Sequence, residues 1–86
     1  MAIDGRGRLL VCGGNTGHFF VFDTESGEQI ARRTVPTTPT LLNDVFVVGD
    51  DAYITDSARP VIWRVEVGEE IGAPEPEREV EPSPTR

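Results

Sequence analysis

The sequence is poor in cysteine and in positive charge: it has one cysteine and no lysine, and its eight arginines face fifteen acidic residues. One cysteine cannot form an internal disulfide. A net charge of -7 provides no basic patch for nucleic acid and disfavours adsorption to an anionic membrane. No run of about twenty apolar residues is present, so no membrane-spanning helix is predicted. We therefore expect neither nucleic acid nor a membrane as a partner.

The first ten residues, MAIDGRGRLL, lack the apolar core of a secretory signal peptide. As written, the chain is therefore expected in the cytoplasm, whereas a longer parent protein could be secreted. Its 86 residues allow one small domain at most. Chains of this size bury only about 60% of their unfolded surface, so we expect marginal stability unless a metal or a partner contributes.

The stretch Leu41–Val67 predicts three consecutive antiparallel strands. Val45–Val48 is a continuous apolar run, which is typical of a strand covered on both faces. Gly49–Asp51 provides turn residues, and Tyr53–Thr55 begins a second strand. Val61–Val67 alternates apolar and polar residues and forms the third.

Three further strands are predicted upstream, at Arg8–Cys12, His18–Asp23 and Glu28–Val35. Glycine-rich turns separate them, since Gly and Asn tolerate left-handed backbone. The third is expected to be an outer strand with Arg32 and Arg33 directed towards water.

The composition changes after Val67. Gly68–Gly72 predicts one weak strand. From Ala73 to Arg86 there are four prolines and four glutamates, with almost no apolar side chain. Such a segment cannot bury enough surface to offset its ordering entropy, and it is predicted to be disordered.

An internal repeat relates the two halves of the chain. With a shift of 43 residues, Leu9–Asp23 lies over Ala52–Glu66, and Phe20 then corresponds to Trp63. A period near forty residues with four short strands is typical of β-propeller blades. The chain holds fewer than two complete blades, whereas a closed propeller needs at least four.

We therefore predict an all-β fold in which antiparallel four-stranded-blade meanders form a partial β-propeller, packed face to face, with a disordered C-terminal tail. The predicted segments are a polar lead-in at 1–7, an incomplete first blade at 8–35, a connector at 36–42, a second blade at 43–71 and a disordered Pro/Glu tail at 72–86.

The stretch LLNDVFVVGDDAYITDSARPVIWRV resembles the blade pattern of the senescence-marker-protein/gluconolactonase/luciferin-regenerating-enzyme-like superfamily of six-bladed β-propellers. In that superfamily an Asn-initiated inner strand precedes a Gly/Asp turn and a Y-x-T-D-S strand. The upstream sequence GRLLVCGGNTGHFFVFDTESGEQIA resembles the preceding blade, so the similarity covers about Gly5 to Ile71. The resemblance implies that full-length relatives are metal-dependent lactone hydrolases with one divalent cation, Ca or Zn.

The resemblance also implies a ligand set of a glutamate, an asparagine and an aspartate from several blades, and only the asparagine carries over, as Asn43. We expect the other two ligands to lie outside this chain, so no catalytic residue is assigned and the isolated chain is expected to lack a complete active site. Adjacent residues on a strand point to opposite faces, so Asn43 and Asp44 cannot share an ion. The alternative is that Asn43 satisfies backbone groups at the start of its strand.

Other residues that could carry chemistry have simpler structural interpretations. Asp56 lies in a Ser- and Pro-containing turn and is expected to bond turn amides. His18 has no triad-like neighbours in the sequence, and Cys12 ends an apolar strand as a small buried side chain. The aromatic residues that could stack on a ligand, Phe19, Phe20, Phe22 and Trp63, alternate within strands and predict blade packing.

Two functions are consistent with these features. The first is a fragment of a gluconolactonase-like six-bladed propeller. The second is a non-enzymatic propeller repeat or binding module, which completes its sheets by self-association or with a partner. Unpaired strand edges are templates for pairing, so a homo-oligomer through open blade edges is predicted.

Overall fold

The computed structural model describes residues 1–36 and 38–79. Within these residues the fold is all-β, without a helix, as the sequence predicts. The eight strands are β1 (Ala2–Ile3), β2 (Arg8–Cys12), β3 (His18–Asp23), β4 (Gln29–Thr34), β5 (Leu42–Val48), β6 (Asp51–Asp56), β7 (Val61–Glu66) and β8 (Glu75–Glu79).

The strands form two antiparallel meanders of four strands each, in the orders β1-β2-β3-β4 and β5-β6-β7-β8. Glycine occupies several of the connections between consecutive strands, whereas Ser57–Pro60 joins β6 to β7 without one. Gly27 closes the β3–β4 connection with a φ of 76°, and Gly49 closes the β5–β6 hairpin with a φ of 61°. Positive φ is accessible to glycine without steric cost, which explains the positions of these turns.

The C-terminal segment differs from the prediction. Glu75–Glu79 is not disordered but forms β8, which pairs with the outer edge of β7 through Arg64↔Glu75 and Trp63↔Pro76. This ladder satisfies N–H and C=O groups that an unpaired β7 would expose, and proline is tolerated because β8 is itself an edge strand. Residues 80–86 of the predicted tail lie outside the described residues.

Two predicted boundaries also change. The polar lead-in contains the short strand β1, and β5 begins at Leu42, inside the predicted connector. The weak strand expected at Gly68–Gly72 is reduced to one isolated bridge between Val67 and Ile71, so the outermost strand of the second sheet is β8.

In this chain the apolar run Val45–Val48 is covered on one face only, and coverage of its other face by a further sheet stays a prediction. Val45 is buried, whereas Phe46 and Val48 on the other face are 49% and 59% exposed. The first sheet covers only one face of β5, because β5 contacts β1 and β2 on that side.

One core lies between the two sheets. Each sheet contributes its inner face, and the remaining core residues lie in the segment that connects the sheets or follow β7. The buried apolar residues are Leu10, Phe19, Val21, Val35, Leu42, Val45, Ala52, Ile54, Val61, Trp63, Val65 and Val67.

The internal repeat is also present in the strand pairing. In the first sheet Arg8 pairs with Asp23, and 43 residues later Asp51 pairs with Glu66. The central hairpins β2–β3 and β6–β7 therefore share one register.

Candidate functional site

Asn43, the candidate metal ligand, is an exposed residue of β5. It lies where the pairing of β5 with β6 shifts between Leu42 and Asp44. The Asp44 carboxylate accepts a hydrogen bond from the amide of Val45 at 2.9 Å. Residues 1–36 and 38–79 contain no group of three or more His, Cys, Asp or Glu side chains placed to hold a metal ion. The role of Asn43 as a ligand therefore stays a prediction.

Asp56 ends β6 and holds the connector against the second sheet. Its carboxylate accepts hydrogen bonds from the amides of Leu41 at 2.9 Å and Ala58 at 3.0 Å, which confirms the predicted turn role. It also accepts hydrogen bonds from the Thr40 hydroxyl at 2.5 Å and the Trp63 indole N–H at 3.1 Å. Burial alone would raise the pKa of Asp56, but these four donors together lower it.

A second buried carboxylate, Asp4, was not identified from the sequence. It accepts hydrogen bonds from the amides of Arg6 and Arg8 and from the Arg8 Nε atom, the last at 2.7 Å. Arg8 Nη2 also donates to the carbonyl oxygen of Val67, so the ion pair joins the first sheet to the end of the second. Burial opposes ionisation of Asp4, but the Arg8 and Arg6 donors outweigh it and lower its pKa. In the sequence, the spacing of Asp4 and Arg8 on either side of a glycine-containing turn could have indicated this ion pair.

Arg33 gives a second cross-sheet contact and corrects a prediction. Arg32 is exposed as expected, but the Arg33 guanidinium donates to the carbonyl oxygens of Ile71 at 2.8 Å and Gly72 at 3.2 Å. Arg33 pairs with the buried Phe19, so it lies on the inner face of β4, where those carbonyls are within reach.

His18 and Cys12 have structural surroundings. The His18 Nδ1 atom lies 2.9 Å from the Thr34 hydroxyl, and its ring contacts Phe20 edge-on. Cys12 is partly buried against the core, and burial raises its pKa to about 11. At neutral pH the thiol is therefore protonated and a weak nucleophile.

The first sheet has an apolar outer face, directed away from the core, which we call the first outer face. Residues that pair directly across neighbouring strands lie on the same face, and the pairs of β1, β2 and β3 define this one. Two of its rings, Phe20 and Phe22, are stacked with centroids 6.1 Å apart. The apolar members are Ile3, Leu9, Val11, Phe20 and Phe22.

The second sheet has a corresponding second outer face. The Phe46 and Tyr53 rings are stacked there, with centroids 5.5 Å apart. Arg64, the next residue across the sheet, forms an ion pair with Asp51 at 3.0 Å. The described residues on this face are Asp44, Phe46, Val48, Asp51, Tyr53, Thr55, Ile62, Arg64, Glu66 and Glu75.

The aromatic residues singled out in the sequence divide between these surfaces. Trp63 and Phe19 are buried in the core, which confirms the predicted packing role for both. Phe20 and Phe22 lie instead on the first outer face and are only partly buried.

The repeat relates each outer face to a face that the chain already buries. On the first outer face, Phe20 corresponds to the buried Trp63 and Val11 to the buried Ile54. In the opposite direction, the buried Leu10 corresponds to Tyr53 on the second outer face. The same shift relates Leu9 to Ala52, Phe22 to Val65, Phe19 to Ile62 and Val21 to Arg64.

The part of the chain that the structure describes has no enclosed pocket and no helix long and apolar enough to cross a membrane. The two outer faces, each with a stacked pair of aromatic rings, are its candidate functional surfaces. No protein-family model, curated protein or solved structure matches the chain.

Proposed function

We propose that this chain is a non-enzymatic binding module: a pair of β-propeller-type blades whose two outer faces are docking surfaces for further β-sheets. One observation carries the proposal. Each outer face is the repeat counterpart of a face buried between the two sheets of the same chain. A surface of this kind is suited to packing against another sheet.

The exposure of the second outer face supports this role. Phe46 and Val48 are 49% and 59% exposed, and Phe46 stacks on Tyr53. Single exposed apolar residues are common on proteins, but contiguous apolar patches mark interaction sites. Covering such a patch stabilises a complex by roughly 25 cal/mol for each Å² of apolar surface removed from water.

The arrangement of the sheets agrees with blade-type packing. The contacts between the sheets involve β5 against β1 and β2, and the chain passes from the last strand of one meander to the first strand of the next. Propeller blades follow one another in this way, so a third sheet on either outer face would continue the series.

The lactonase function implied by the resemblance remains a prediction. Asn43 offers one oxygen ligand, whereas Ca²⁺ takes six to eight oxygens and Zn²⁺ usually four ligands. Covering sheets would therefore have to provide most of any metal site.

The proposal is tested with a fluorescent dye that binds exposed apolar surface. The folded chain, at a concentration where it is monomeric, should bind the dye, and Phe46→Thr should lose much of this signal while keeping the β-sheet circular dichroism spectrum. Leu41→Thr is the matched control, because Leu41 is 43% exposed but lies outside both outer faces. Absence of dye binding by the folded chain, or equal losses in both variants, would refute the docking role.

A further inference from the structure

We infer that the occupant of each outer face is a second copy of this chain, docked head to tail, with the first outer face of one copy on the second outer face of the next. This inference rests on the proposed function and specifies its partner.

The packing within the chain supplies the template. Inside one chain, the inner face of the first sheet, with Leu10 and Phe19, packs on the inner face of the second sheet, with Ile54 and Trp63. The 43-residue shift converts the first of these faces into the second outer face, and the second of them into the first outer face. A contact between the outer faces of two copies would therefore repeat the contact within each copy.

Charge favours the head-to-tail pairing over a symmetric one. Arg32 pairs with Phe20 across the first outer face and is exposed. The second outer face carries the carboxylates of Asp44, Asp51, Glu66 and Glu75 around the guanidinium of Arg64. Head-to-tail docking brings opposite net charges together, whereas self-pairing of either face opposes like charges.

The contact has a consequence for assembly size. Because it uses two different faces, an open row of docked copies of any length still has one free face of each kind, one at each end, until a ring closes. The chain provides two sheets, and closed propellers typically contain four to eight blades. The expected assemblies are therefore rings of about two to four copies.

A complementation experiment tests the inference. Phe20→Glu blocks the first outer face, and Phe46→Glu blocks the second. Sedimentation velocity should show an oligomeric parent chain and two monomeric variants, each with an association constant reduced at least about a hundredfold by a carboxylate in the contact. An equimolar mixture of the variants should form a heterodimer and nothing larger, because each variant retains one intact and complementary face.

Two further variants keep the test decisive. Arg32→Glu replaces Phe20→Glu if the latter does not fold, because Arg32 is exposed and lies on the same face. Leu41→Glu is the control for adding a carboxylate at an exposed apolar position and should assemble as the parent chain does.

Three results would overturn the inference: a parent chain that stays monomeric at all concentrations, a blocked variant that still dimerises alone, and a mixture that does not recover association. Oligomers that persist in both blocked variants would indicate pairing through strand edges instead. If the parent chain is monomeric but binds the apolar dye at Phe46, the docking role stands and only the second copy as its occupant fails.

Discussion

The first and second sheets share the register of their central hairpins but differ in their first strands. β1 has two residues and β5 has seven. The short strand is fixed by the Asp4–Arg8 ion pair, and the long one by the hydrogen bonds that Asp56 accepts. The central hairpin is therefore the repeated unit, and a different buried carboxylate holds the first strand of each sheet.

The two sheets also differ in what their equivalent residues contact. Trp63 is 3% exposed and buried between the sheets, whereas its counterpart Phe20 lies on an outer face. Residues at equivalent positions of the repeat therefore contribute differently to the free energy of unfolding of the isolated chain, because only one of the two is covered by a neighbouring sheet.

The largest expected effect is the difference in stability cost between truncating Trp63 and truncating its repeat counterpart Phe20. Trp63→Ala should lower the free energy of unfolding by about 3–5 kcal/mol, through lost burial and a cavity. Phe20→Ala should cost about 1–2 kcal/mol in the monomer, because its ring is only partly buried. Urea denaturation at a concentration where the chain is monomeric measures both values. Equal costs would show that the two faces are equally covered.

Acid should affect both carboxylate anchors. The pKa values of Asp4 and Asp56 are lowered in the folded chain from an unfolded value near 3.9. Their ionised forms therefore stabilise the fold above about pH 4, and this contribution is lost as the pH falls through the lower folded values. Unfolding free energy measured by urea denaturation should decrease over this acidic range.

Replacing each aspartate separately shows how much of the acid dependence of stability comes from the anchor of each sheet. Asp4→Asn leaves the Arg8 guanidinium buried without its counter-charge and should cost about 3–5 kcal/mol at neutral pH. Asp56→Asn weakens hydrogen bonds to a charged acceptor and should cost about 1.5–3 kcal/mol. Each variant should lose part of the acid dependence, and an unchanged pH profile in both would contradict the assignment.

The smallest expected effect concerns the candidate metal residue. Adding Ca²⁺, Zn²⁺ or Mn²⁺ should leave the midpoint of thermal unfolding unchanged, since a ligand raises it only by binding the native state. Asn43→Ala should respond in the same way. A rise in the midpoint with one ion that disappears in Asn43→Ala would favour the metal-dependent interpretation.

Much of the strand pattern could be predicted from local sequence. Strands β2 and β3 match their predicted bounds, and β7 ends one residue before its predicted end, because apolar periodicity and turn residues encode these strands locally. The turn role of Asp56 was predictable for the same reason.

The errors concern contacts between distant segments. Glu75–Glu79 has a composition typical of disorder, yet it pairs with β7 because that strand offers an open ladder. Arg33 was predicted to face water from its local sequence, but in the folded chain it donates to the carbonyl oxygens of Ile71 and Gly72. Composition does not reveal such partners.

By itself, the sequence determined the all-β class, the turns and the 43-residue repeat, because side-chain periodicity and glycine positions act over a few residues. Only the tertiary structure decided which copy of each repeated face is buried. That choice depends on a neighbouring sheet, so Trp63 became core while Phe20 stayed on the surface.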